Sequence, residues 1–490
     1  MYRRPSKKQL LLQRIIVSVI SVLAVLVIVT GTILFILGFR LDSEKGRLEQ
    51  GALLQFESVP AGADIAIDSK PTGVRTAGKQ SVLAGAHSFV VSKNGYESWA
   101  KSLTVKAGTL TWLDYIRLVP KDLKPETVAT YSTIVGEKAS PDLKTLIIQE
   151  KTDTPTFQLV DLRSQDIKST AIALPAAAYS EATTAGVTHS FTLDHWDLGG
   201  RYVLLKHAYN DTGEWIVFDT QNPDASVNIS RLLSISVSQL EFAGTNGSLL
   251  YGLLSDGTVR KLDVSAATIS RPLISNVKTF DLSETNRISY VGIDPNNAAQ
   301  QVAGVYRDGD AAPHVLRTVS SLETPLFIDM VIYRNDDYVV IAEGLKVTVL
   351  KGTYPTSSND DVSSLKVQHE LTVNGAVSQL SFSEDGDYLV VQSGLSFVGY
   401  ELEHERATTG SITAIADQPV PQLHWLDNAY LWTDYGGTLV IREFDGTNSH
   451  TINSVAQGLD VTLSQNGRYL YSMVKSGDSY YLQRVKMILD

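Results

Sequence analysis

The sequence predicts a mainly β protein headed by one transmembrane helix, and three observations predict it. An uncharged apolar run of 25 residues, Ile15 to Phe39, lies near the amino terminus. A short stretch of alternating, glycine-punctuated sequence follows it. A tyrosine-headed apolar run then recurs to the end of the chain at a mean spacing of about 46 residues, the length of a propeller blade. The architecture these imply is a cytoplasmic tail over 1–14, a membrane helix over 15–39, a stalk over 40–52, a small β domain over 53–119 and a seven- to eight-bladed β-propeller over 126–490, eight blades being favoured.

The helix comes first. At 1.5 Å per residue its 25 residues span about 37 Å, enough for a hydrocarbon core of about 30 Å with some tilt. A cleaved signal peptide would carry a shorter apolar region and end in a small-x-small site. This run instead ends Leu34-Phe35-Ile36-Leu37-Gly38-Phe39-Arg40, so an uncleaved signal anchor is expected. Arg3, Arg4, Lys7, Lys8 and Arg14 precede it without an acid, which keeps the tail cytoplasmic under the positive-inside rule. The lipid bilayer is thus the first expected partner. The cell membrane is the expected location, with the bulk of the chain extracytoplasmic. The next segment, Leu41 to Gly51, is read as a charged stalk, helical in part.

Residues 53–119 hold four strand-like runs, including the period-2 alternation Ala63-Asp64-Ile65-Ala66-Ile67-Asp68 and the run Trp99-Ala100-Lys101-Ser102-Leu103-Thr104-Val105. Glycines punctuate them at Gly62, Gly73, Gly85, Gly95 and Gly108. Glu57-Ser58-Val59-Pro60-Ala61-Gly62-Ala63, then Gly73 with Thr76, Leu83-Ala84-Gly85-Ala86-His87, and Lys93-Asn94-Gly95-Tyr96 occur in that order. This ordered set resembles the PEGA domain, a small bacterial surface-associated β module, with Pro60, Gly62, Ala63, Gly95 and Tyr96 as its structural motif positions. Ala61 stands where the motif has glutamate, and Ala77 follows Thr76 where the family often has proline. His87, Tyr96 and Trp99 are read as packing residues rather than as a glycan-binding cluster.

The repeat comes last. Tyr202, Tyr251, Tyr290, Tyr338, Tyr388, Tyr430 and Tyr469 each stand in a short apolar run, and Thr145 takes the place in an eighth copy. A second run follows each, often closed by an acid, as in Val440-Ile441-Arg442-Glu443-Phe444-Asp445. The turns Ser383-Glu384-Asp385-Gly386-Asp387 and Ser464-Gln465-Asn466-Gly467-Arg468 pair Asp or Asn with Gly, which tolerate positive φ. These phrases resemble the blade turn of WD-repeat-like and TolB-like propellers. The copies at Tyr251 and Tyr290 fit least well. The tyrosines are expected to pack between blades. After the last repeat only three strands remain, so Glu126–Tyr131 is expected to pair beside Tyr480–Ile488 and close the ring. The Ala/Thr-rich stretch 171–186 is read as a long loop between the first two blades.

Composition excludes several chemistries. The chain has no cysteine, so disulfides, thiolate catalysis and Cys-ligated metals are ruled out. Net charge is −11, and with five basic residues in the tail the remainder carries −16, which argues against a phosphate-backbone partner. None of the nine histidines falls in a metal-ligating spacing, and no G-x-S-x-G elbow or P-loop occurs. Neither a cofactor nor a catalytic residue is expected.

Asp194-His195-Trp196-Asp197 and His424-Trp425-Leu426-Asp427 both place a His-Trp step beside an acid just before a blade turn. Trp196, Asp197, His424 and Trp425 are therefore the candidate ligand rim. The expected function is that of a membrane-anchored extracytoplasmic binding or scaffold protein for a cell-envelope polymer or a surface protein. The alternative is a hydrolase or lyase acting on an envelope glycan in the propeller funnel, which several carboxylates and a base at one end of that funnel would favour.

Overall fold

A computed structural model describes the chain except residues 1–6, 37, 43–45, 182–186, 210–211, 284–285 and 355–363. The basic residues Arg3 and Arg4 and part of the expected 171–186 loop therefore lie outside the described residues. Two compact units are present: Met1–Asp122 with Leu489–Asp490, and Leu123–Ile488.

The first unit opens with a helix over Lys7–Ile36. Its segment Arg14–Leu34 has a mean hydropathy of 2.7, and none of it is buried among the described residues. The helix stops three residues short of the expected Phe39. Gly38 adopts φ +79, and Phe39–Asp42 forms a strand paired with Arg47–Val59. The expected stalk is accordingly a hairpin, not a partly helical segment. The Gly51 N–H bonds the Gly38 carbonyl at 2.9 Å, and on its other side a Cβ there would meet the Val82 carbonyl at 2.7 Å. Only glycine lets this strand approach Gly78–Leu83 so closely.

Two four-stranded sheets build the rest of this unit. In one, Arg47–Val59 pairs antiparallel with Phe39–Asp42 and Gly78–Leu83 and parallel with Leu110–Arg117. In the other the order is Lys70–Arg75, Asp64–Ile67, Gly85–Ser92, Trp99–Val105. The alternation of Trp99–Val105 is complete: its odd-numbered residues are buried and its even-numbered ones exposed. Leu54, Phe56, Ile65, Phe89, Val91, Trp99, Leu113 and Ile116 form the shared core.

The motif residues work as a corner. Gly62, at φ +79, donates to the Thr76 carbonyl at 2.6 Å, and the Ala63 N–H donates to Thr76 Oγ1 at 3.0 Å. Ser58 Oγ lies 2.6 Å from the same hydroxyl and donates to the Pro60 carbonyl at 2.7 Å. Gly95, at φ +86, turns the chain into Tyr96, which is buried and accepts the Leu489 N–H at 2.7 Å. Trp99 is buried, and both ring nitrogens of His87 are engaged, by Asp68 and by the Leu83 carbonyl. The proposed packing role of these three side chains matches their surroundings.

The second unit is a β-propeller. Among the described residues it holds eight four-stranded antiparallel sheets, seven of them built from consecutive strands within 136–173, 189–228, 237–269, 277–319, 326–372, 379–411 and 424–454. The eighth combines Thr462–Leu463, Tyr469–Ser476 and Ser479–Lys486 with Pro125–Tyr131 from the start of the unit. The two ends of the repeat array are thus joined, as the leftover strand required.

Local chemistry explains the repeat. The Ser383 and Ser464 hydroxyls accept the N–H of Tyr388 and Tyr469 at 3.1 and 2.9 Å. Ser140 does the same for Thr145 at 3.0 Å, and Asp197 for Tyr202 at 2.7 Å. Each spans five residues and fixes the turn before the second strand. The tyrosines pack between sheets: Tyr388 lies 3.9 Å from the Phe444 ring, and Tyr338 and Tyr430 are buried.

Two copies are out of phase. Tyr202 faces Asp219, Tyr388 faces Glu401 and Tyr430 faces Glu443 on the third strand. In the third sheet Leu249 holds that place against Asp263, and in the fourth Arg287 holds it against Arg307. Tyr251 and Tyr290 stand two and three residues further on, buried in mid-strand. Residues 171–173 belong to the strand Lys168–Ala173 rather than to a loop, and a 3₁₀ turn follows at Ala176–Ala178. A five-residue helix, Ile229–Leu233, is capped by the Asn228 side chain, which accepts the Arg231 N–H.

Candidate functional site on the ring of first strands

The first strand of each propeller sheet carries a polar residue at one shared register. The following residue marks it, because that residue pairs with the second strand just past the anchor. Ala139 pairs with Leu146, Trp196 with Val203, Phe242 with Leu250 and Leu282 with Ile288. Met330 pairs with Val339, Phe382 with Leu389, Trp425 with Leu431 and Leu463 with Leu470. The residues just before them are Lys138, His195, Glu241, Asp281, Asp329, Ser381, His424 and Thr462.

Polar contacts link these strands around the ring. Trp196 Nε1 donates to the Lys138 carbonyl at 2.9 Å, and His195 Nε2 lies 3.3 Å from Glu241 Oε2. Gln239 Nε2 donates to the Phe280 carbonyl at 2.7 Å. The Asp329 carboxylate accepts the Phe382 N–H at 2.9 Å, Trp425 Nε1 donates to Ser381 Oγ at 3.0 Å, and Lys138 Nζ reaches Asp460 at 3.3 Å.

Three neighbours in the ring are acids: Glu241, Asp281 and Asp329. Burial raises the Asp329 carboxyl to about 7, with the Asp281 charge adding to it and the N–H groups of Phe382 and Met330 opposing it. Burial also raises Glu241, although His195 and Gln239 pull the other way. Burial would lower His195, but the Asp194 bond and the Glu241 charge outweigh it and raise the imidazole. Asp194 is lowered despite burial, by His195 and by Lys206 Nζ at 2.6 Å. A cavity of about 400 Å³ opens beside two of these acids, Glu241 and Asp281, and is walled also by Phe280, Tyr290 and Phe327. Carboxylates with aromatic walls suit a cationic or hydroxylated group. Among the described residues no set of three His, Asp or Glu side chains is placed to hold a metal ion.

The expected rim residues divide between two sheets. Trp196 is 5% exposed and Asp197 is fully buried, in the second sheet. Asp197 spends its carboxylate on the N–H groups of Gly199, Arg201 and Tyr202. Neither presents a surface to a ligand, so both are structural. His424 and Trp425 are half-buried in the seventh sheet, where the His424 ring stacks on Trp432 at 4.5 Å and burial lowers its pKa. The acids Glu241, Asp281 and Asp329 were missed because no two share a motif. A polar residue interrupting each first strand at the same distance before the turn was the available signal.

An apolar helix, a two-sheet β module and a closed β-propeller define the class of protein. Residues 52–121, which make up most of the two-sheet module, match the family model of the PEGA domain. No curated protein matches the chain. Among solved structures, the β-propeller domain of Myceliophteria thermophila Cps50 (Swd1) is similar at 12% identity, covering 74% of this chain and 99% of that one with a TM-score of 0.36. Kluyveromyces lactis Hsv2 is similar at 12% identity over 72% of this chain and 97% of its own, with a TM-score of 0.38.

Proposed function

We propose that the protein is a membrane-anchored binding protein that displays its PEGA domain and propeller outside the membrane and holds a cell-envelope component or a surface protein on the propeller. The observation that carries this is the 21-residue span Arg14–Leu34, none of which is buried among the described residues. Ile20 and Val27, at 60% and 66% exposure, are typical of it. Such a surface is stable only in an apolar medium, and the span is about 31 Å long, close to the hydrocarbon thickness of a bilayer. Lys7, Lys8 and Arg14 on its amino-terminal side, with Arg3 and Arg4 in the sequence before them, favour a cytoplasmic amino terminus. The acidic remainder disfavours nucleic acid.

One observation favours the enzymatic alternative. Glu241 and Asp281 line a cavity, His195 lies beside Glu241, and Asp329, within reach of the Asp281 charge, has a carboxyl poised near neutral pH, which is suited to general acid–base work. Two measurements test the pair of readings. In sealed right-side-out vesicles, added protease should digest the PEGA domain and propeller, and protection of both until lysis would refute the topology. Turnover of an envelope glycan by the full chain, abolished by Asp329→Asn, would replace the binding reading with the enzymatic one.

A further inference from the structure

Two copies of the blade turn share a backbone and differ in charge. Ser383-Glu384-Asp385-Gly386-Asp387 carries three acids, whereas Ser464-Gln465-Asn466-Gly467-Arg468 carries no acid and one base. Both use the serine hydroxyl to accept the tyrosine N–H, and both glycines have positive φ. The turn itself does not set the charge.

The altered turn forms one wall of a pocket of about 450 Å³, a volume within the usual range for small-molecule sites. The facing wall is the hairpin over 162–165 of the first sheet. Arg163 comes from that hairpin and Arg468 from the turn, with Gln165, Gln465, Asn466 and Tyr469 between them. No carboxylate lines the pocket among the described residues, on a chain whose net charge is −11. The site is braced from behind. Asp161 holds Arg163 through Nε and Nη2 at 2.9 and 2.7 Å. Arg484 donates to the Gln165 carbonyl at 2.7 Å and to Glu126 at 2.8 Å. The guanidinium carbons of Arg484 and Arg468 stand 4.7 and 6.0 Å from the centre of the Tyr469 ring.

We propose that this pocket binds an anionic saccharide, a sugar unit bearing a carboxylate or a phosphate. Guanidinium groups recognise such oxyanions through paired N–H donors. Primary amides supply what sugar hydroxyls need. The inference rests on the propeller being the binding unit, and it names a site distinct from the ring of first strands.

Isothermal titration of the full-length protein in detergent tests it, with glucuronate, glucose 6-phosphate, glucose and inorganic phosphate as probes. The expected result is that at least one sugar anion binds, that glucose does not, and that inorganic phosphate binds at least tenfold more weakly than glucose 6-phosphate. Combining Arg163→Gln with Arg468→Gln should weaken the sugar anion at least tenfold. Arg334→Gln, which removes an exposed partner of Glu403 elsewhere, should leave it unchanged. Near-ultraviolet circular dichroism confirms that the variants are folded. Unaltered affinity in the double variant, or equal affinity for phosphate and sugar phosphate, would overturn the proposal. So would the absence of any sugar-anion binding while the full chain still captures envelope material, and that outcome would leave the broader binding reading standing.

Discussion

The indole N–H of Trp196 donates to the backbone carbonyl of Lys138, 2.9 Å away on the first strand of the preceding sheet. Trp425 makes the equivalent reach to Ser381 at 3.0 Å. Both tryptophans therefore join neighbouring first strands at the same register. Trp196 also packs against Ile147, Phe191 and Val203 in a shared core cluster. Replacing it by alanine removes a buried ring and leaves the pair of strands unbridged. Trp196→Ala should cost about 3–5 kcal/mol. The half-buried Trp425→Ala should cost less, about 1–2 kcal/mol. Denaturant midpoints of the two variants should differ in that order, and equal midpoints would contradict the core role of Trp196.

Glu137 lies next to this bridge and is 3% exposed, with no hydrogen-bond partner for either carboxyl oxygen among the described residues. Burial, aided by the Asp460 charge, holds its pKa well above the ordinary glutamate value, against the pull of Lys138. The folded chain keeps a proton there that the unfolded chain releases. Its contribution is fully present below the unfolded pKa, near 4.5, and is lost as pH rises toward the folded one. Glu137→Gln should match the parent at about pH 4 and exceed it in stability at about pH 8. Thermal melts at the two pH values decide it, and an equal difference at both would remove the carboxyl as the cause.

Much of this molecule was legible because its signals are local. The apolar helix, the Pro60-to-Tyr96 motif series and the turn before each tyrosine all act within a few residues, through φ at glycine and hydroxyl-to-backbone bonds. The spare strand at Glu126 could be placed from a count of strands alone. What escaped depends on partners far apart in the chain. Lys138 meets Asp460, and His195 meets Glu241, only when the sheets stand side by side. The same holds for Trp196, whose core neighbours include Ile147 and Phe157 of the preceding sheet. The phase of the third and fourth copies was misread because Tyr251 and Tyr290 are ordinary strand tyrosines standing just past Leu249 and Arg287.

Closure of the propeller can be tested covalently, because the chain has no native cysteine. Thr130 and Tyr481 are directly paired across the antiparallel ladder of the eighth sheet. Paired residues there have Cα atoms about 4.5–5.5 Å apart, inside the range a disulfide spans. Thr130→Cys combined with Tyr481→Cys should form an intramolecular crosslink on mild oxidation, seen as a reducible shift in gel mobility. Either substitution alone should give no shift. Failure of the double variant to crosslink in the folded protein would mean that the first and last strands of the unit do not meet in solution.

The acidic arc predicts a second pH effect with its own window. The Asp329 carboxyl is raised to about 7, chiefly by burial and next by Asp281, so the folded chain retains a proton that the unfolded chain loses. This group's contribution is complete below about pH 4 and declines as pH climbs to about 7, beyond which it is constant. The slope within that window is on the order of 1.4 kcal/mol per pH unit at most. Asp329→Asn removes the titration and keeps one of the two acceptors, because Met330 and Phe382 donate to different carboxylate oxygens and the amide has only one; that loss shifts the whole profile without adding a pH dependence. The variant should therefore gain stability relative to the parent between about pH 4 and pH 7, and the gain should level off above that. Glu137→Gln should show a different profile, since its neighbours are Asp460 and Lys138 rather than Asp281. Urea titrations of parent and variant across that range measure the difference directly. A flat difference would show that Asp329 is ionised throughout, and the arc could then not supply the neutral carboxyl that general acid chemistry requires.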